Sequence, residues 1–159
     1  WSVMMELLMT PAEAAEAAFG SGDAVGAGIV TEGAVREAQQ NYLRPVLGAS
    51  FCGALEEGRY GAFVAEYLRP ALALFVKYLV LPDAAVHTGR LGVVRFEGEY
   101  FAPADEQTLR LLRSRIRARA ETLLAAAVER LEAVPADFPD YDPRENVKRR
   151  VSMEGGVVL

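Results

Sequence analysis

The chain has 159 residues, 52% of them hydrophobic and 25% charged, with one cysteine and one histidine. That is the length of one domain, or one domain with a tail, and such a chain can bury about 70% of its unfolded surface. Seventeen Lys+Arg against twenty-two Asp+Glu give a net charge of −5. Dedicated nucleic-acid binders run basic instead. A lone Cys52 and a lone His87 exclude an internal disulfide, a four-ligand structural zinc site and the multi-histidine metal hydrolases.

Trp1 to Met9 is apolar but interrupted by Ser2 and Glu6. It is far shorter than the roughly 20 residues that span a bilayer, and it lacks the basic flank and cleavage site of a secretory signal. No membrane association is expected. Thr10-Pro11 followed by Glu13 is a capping-box start, so a short helix is expected over 11–19, closed by Gly20. The glycine-dense stretch 20–28 reads as a flexible loop. Thr31 opens a second helix, limited by Pro45 and stopped by Gly48, and a third short helix covers about 49–57.

Residues 60–81 are apolar over most of a helical circumference, which predicts a central, buried helix. Pro70 should kink or split it, and Pro82 should end it. Glycines at 89, 92 and 98 then break the helical pattern, and LGVVRFEGEYF predicts a short β-hairpin or extended arm within 86–101. Residues 103–134 form the clearest element, a helix roughly 45 Å long. It opens on Asp105-Glu106, and Leu109, Leu112, Ile116, Ala120, Leu123, Ala127 and Leu131 form one apolar seam. Three prolines in PADFPDYDP forbid a regular helix beyond residue 134. No internal repeat is expected. The expected organisation is mostly α: a small helical bundle over 1–134 that includes the arm, and an extended C-terminal docking tail over 135–159.

Five features could carry chemistry. Arg110, Arg113, Arg115, Arg117 and Arg119 stand with no acid between them. Arg110, Arg113 and Arg117 flank one side of the seam, and Arg115 and Arg119 the other. Such a row can be solvated, can form a protein–protein rim, or can track phosphates. Cys52 and His87, with Asp83 near the latter, can be written as a nucleophile pair, but Cys52 between Phe51 and Gly53 suits a small core residue. The glycines at 20–28 lack the Lys and Ser/Thr of a phosphate loop. Glu56-Glu57 and Glu97/Glu99 have nothing that would bury them or set a catalytic separation. Finally, DFPDYDPRENVKRR carries the aromatic anchors Phe138 and Tyr141 among prolines and charges, a composition that lies across a surface of the same chain or of a partner.

The stretch AQQNYLRPVLGASFCGALEEG (38–58) resembles a pattern in small phage and prophage proteins of Bacteroidales type. YGAFVAEYLRPALALFVKYLVLP (60–82) is similar to their following helix, with its internal Arg-Pro, and FPDYDPRENVKRRVSMEGGVVL (138–159) to their ending. The resemblance covers most of 29–159. That group looks like the helical head-to-tail connector, or head completion, proteins of tailed phages. It implies a small α-helical subunit that docks as a ring on the portal protein and extends the DNA channel toward other neck or tail proteins. DNA would pass without sequence-specific contact. The place of action would be the virion neck, with the bacterial host cytoplasm during assembly. The resemblance carries no catalytic residue, metal or cofactor, so no enzyme activity is expected.

On this reading Phe138, Tyr141, Arg144, Lys148, Arg149 and Arg150 are expected to contact the partner. Arg110, Arg113 and Arg117 are expected between subunits. The alternative is a small helical nucleic-acid-associated protein that uses the Arg110–Arg119 helix on phosphates.

Overall fold

A computed structural model describes residues 6–20, 28–91, 94–96, 99–101 and 106–149. The chain is mostly helical. Helix α1, Pro11–Phe19, starts where the Thr10 hydroxyl accepts from Glu13 N at 3.1 Å and ends at Gly20, whose φ of 90° suits glycine. Helix α2, Glu32–Ala38, is capped in the same way by Thr31, which accepts from Ala34 N at 3.1 Å.

Helix α2 is continued past Ala38 to the expected stop at Gly48. It passes through a π turn, Gln39–Leu43, into a short helix α3, Arg44–Leu47, which Gly48 closes at φ 86°. After α4, Ala49–Glu56, the chain turns at Gly58 and Tyr60 and repeats the device: α5, Gly61–Phe63, a π turn, Val64–Leu68, then α6, Arg69–Leu91. Both π turns end in Tyr-Leu and are followed by Arg-Pro. In both, the arginine N–H reaches back five residues, Arg44 to Gln39 O and Arg69 to Val64 O. An extra residue per turn lets the helix absorb a proline that lacks its own N–H, so Pro70 is taken up without a break in the chain's helical course. The expectation of no internal repeat is corrected to this extent: Tyr-Leu-Arg-Pro occurs twice, and each copy makes the same turn.

The expected stop at Pro82 is corrected: α6 runs through it to Leu91. A proline at 82 cannot donate to the carbonyl of Tyr78, four residues earlier. Arg113 from the long helix supplies the missing donor, its Nε lying 3.1 Å from Tyr78 O. After α6, strands β1, Val94–Phe96, and β2, Glu99–Phe101, pair antiparallel with each other alone, Val94 opposite Phe101.

Helix α7, Glu106–Ala133, packs along α6. Ile116, Ala120, Leu124, Ala127 and Leu131 are its buried stripe. Leu124 takes the place expected for Leu123, which is exposed. Helix α6 is the axis of the fold. All residues from Ala71 to Lys77 are buried, a span of almost two turns, so neighbours cover it on every side. α1, α2 and α7 are those neighbours.

The segment from 135 to 149 is not an outlying tail. It forms two 3₁₀ turns, Pro135–Asp137 and Pro143–Glu145, and packs on the helical body. The arm's side chains and residues 150–159 lie outside the described residues.

Candidate functional site

The arginines of α7 divide by the periodicity of the helix. Arg113 and Arg117 point toward α6. The Arg113 guanidinium lies 4.2 Å from the Tyr78 ring centre, and that of Arg117 lies 5.5 Å from Tyr78 and 5.6 Å from Tyr42. Tyr42 is itself stacked on Phe75 at 4.6 Å. Arg117 also pairs with Glu121 one turn on, at 3.3 Å. These two side chains staple α7 to α6 and to the first π turn, and Arg117 keeps 46% of its side chain exposed. Arg110, Arg115 and Arg119 are exposed, as is Leu111, which is 57% exposed. Of the five arginines only Arg113 is half-buried rather than exposed.

Phe138 and Tyr141 are 8% and 9% exposed. Phe138 packs on Phe63 at 5.0 Å and Tyr60 at 5.5 Å, and both tail rings stand edge-on to Phe51. These apolar rings complete their own chain's core. Polar contacts hold the segment further. Asp140 accepts from Tyr60 Oη at 2.6 Å and from Arg59 Nη1 at 3.0 Å, so its carboxyl is held below the usual carboxylate range, with the Tyr60 bond the larger cause. Tyr60 itself sits at φ 60°, strained for a side chain of its size.

Glu145 accepts from Ser50 Oγ at 3.1 Å at the start of α4. A Cβ on Gly48 would come within 2.7 Å of Glu145, so glycine is needed there for space as well as for φ. Arg149, expected on a partner, pairs with Glu132 of α7 at 2.8 Å. Arg144 grips Asp142 from a side chain that is 90% exposed, and Lys148 is exposed. Arg150 lies outside the described residues.

Cys52 is buried in α4, and burial pushes its thiol up to about 11, so the nucleophilic thiolate is scarce at neutral pH. His87 is on α6 and its side chain lies outside the described residues; Asp83 is exposed. Glu57 pairs with Arg59 at 2.6 Å, Glu99 is in β2, and Glu97 and glycines 21–27 lie outside the described residues. Among the described residues no three His, Cys, Asp or Glu are grouped to hold a metal, and no helix is long and apolar enough to cross a membrane.

Sequence reasoning missed Gln39. It is 1% exposed, and its amide accepts from Leu8 N at 2.7 Å and donates to Glu6 O at 3.0 Å. Arg69 Nε donates to Leu8 O at 3.1 Å. Two residues at the π turns thus bind the backbone of the segment before α1. Beside it a cleft of about 260 Å³ opens between Leu7–Leu8 and the turn from α4 to α5. A buried glutamine bonded only to distant backbone leaves no local pattern in sequence.

A family model described as a family of unknown function, DUF6712, matches residues 31–151. The chain belongs to the DUF6712 family. The match begins at the cap of α2 and runs past the Arg149–Glu132 pair, so it takes in α2 to α7 and the docked 135–149 segment together. No curated protein and no solved structure matches the chain.

Proposed function

We propose that this chain is a structural head-to-tail connector subunit of a tailed phage or prophage. Copies assemble as a ring on the portal protein, and the ring extends the DNA channel toward the tail. The observation that carries the reading is the uncovered outer side of α7, where Leu111, Arg110, Arg115 and Arg119 stand on a helix of 28 residues that is packed on one side only. The likeness of 38–58, 60–82 and 138–159 to phage connectors supports it. So does the net charge of −5, because a wall that attracted phosphates would hinder DNA sliding.

In this arrangement the partners are the portal, neighbouring copies, other neck or tail proteins and passing DNA, in the virion neck and, before that, in the host cytoplasm. The 94–101 arm reaches a neighbour, and Arg144 and Lys148 are the exposed cations of the docked segment that meet a partner. Native mass spectrometry of the protein mixed with the portal protein of the same genome tests the reading. One copy per portal subunit is the expected result; no association, with both proteins folded, overturns it.

A further inference from the structure

Exposed acids stand on α1 and exposed arginines on the first half of α7. Glu13 and Glu16 on α1 and Glu32 at the start of α2 are exposed; Arg69 reaches Glu13 at 3.6 Å. The first half of α7, Glu106 to Ala120, carries five arginines and one acid. The two layers cover different sides of α6. Phe19 of α1 receives the Lys77 ammonium at 5.3 Å, whereas the next residue, Tyr78, receives Arg113 of α7. α1 and α7 each pack on α6 rather than on each other.

Leu111, Arg115 and Arg119 fall at successive four-residue steps and so form one row on the outside of α7. Among the described residues neither Arg115 nor Arg119 makes an ion pair. Leu111 is the most exposed large hydrophobic residue in the described structure. An apolar side chain bordered by guanidinium groups matches a surface of small apolar residues bordered by carboxylates. Ala12 and Ala17 of α1, both exposed beside Glu13 and Glu16, make such a surface.

We infer that the Leu111–Arg115–Arg119 row of one copy docks on the Glu13–Glu16 face of α1 in the next. The inference rests on the ring reading and specifies which two faces meet. Because the faces differ, the contact is heterologous, and it closes into a ring or runs on as a filament according to the rotation between copies.

Paired charge reversal tests it. R115E/R119E alters exposed positions and E13R/E16R gives up the exposed Arg69–Glu13 pair, and circular dichroism should show both variants folded. Self-association is read by sedimentation of the protein alone over a range of concentration and salt, and loading is read by native mass spectrometry with the portal protein. Each double reversal should weaken neighbour contact by more than about tenfold, because like charges then face each other. The combined four-site variant should recover it. Wild-type association should fall with added salt.

Association that both double reversals leave intact overturns the inference while the connector reading stands. Loss in both without recovery in the four-site variant overturns it as well. Charge-swap behaviour in sedimentation with no portal loading supports the inference and overturns the connector reading. A wild type that neither self-associates nor loads overturns both.

Discussion

Substituting Arg113→Ala should destabilise the fold by an amount set by one proline. Pro82 leaves the Tyr78 carbonyl without its helical donor, and Arg113 Nε fills that place from 35 residues away. A hydrogen bond from a charged donor contributes about 1.5–3 kcal/mol, and the guanidinium over the Tyr78 ring about 0.5–1 more. Arg113 is half-buried, which places the sum near the lower end, at about 2 kcal/mol. For a chain of this size that is a fall in Tm of roughly 4–8 °C. The assay is urea denaturation of a double-mutant cycle with Pro82→Ala. An alanine at 82 restores the N–H, so in that background Arg113→Ala should cost only the ring contact, roughly 0.5–1 kcal/mol. The expected coupling is therefore about 1 kcal/mol or more. Equal costs of Arg113→Ala in both backgrounds would refute the pairing of Arg113 with the proline's orphan.

Gly48→Ala should destabilise by about 2 kcal/mol or more, since it meets both an unfavourable φ and the Glu145 side chain, Cβ included; thermal melts read this, and a Glu145→Gly background, which removes that Cβ, should relieve the steric part. Asp140→Asn should flatten the acid limb of stability. The native carboxyl is held low by Tyr60 and Arg59, so its contribution is full above the unfolded value, near 3.8, and is lost as pH falls through the lower folded value. Equal acid slopes for variant and wild type would remove Asp140 from the latch. Cys52 should resist alkylation at pH 7–8 in the folded protein and react fully in denaturant, as its burial and raised thiol require. Reaction at the rate of a model thiol in the folded state contradicts the packed site.

The candidate surface was legible in part. The arginine run on the long helix is plain in the sequence, and so is the aromatic pair after it. Which arginines face inward is not. Arg113 and Arg117 are turned to Tyr78 and Tyr42 by helical phase against a neighbour whose identity is a tertiary fact. Phe138 and Tyr141 read equally well as anchors for a partner, because an aromatic among prolines has the same composition wherever it docks. Only the rings waiting at Phe51, Tyr60 and Phe63 decide for the chain's own core.

By itself the sequence determined the features whose causes lie within a few residues. Thr10 and Thr31 start helices because a hydroxyl caps an N–H three positions on. Gly20 and Gly48 stop them because they accept positive φ. The apolar circumference of 60–81 made α6 central, and a repeat at three and four made α7 one-sided. The tertiary structure decided everything that needs a distant donor or ring. Helix α6 continues through Pro82 because an arginine from another helix bonds the orphaned carbonyl. The segment before α1 is placed by the amide of Gln39, and the one after α7 by Tyr60, Arg59 and Ser50. Propensity acts along the chain, whereas these bonds depend on which residues folding brings side by side.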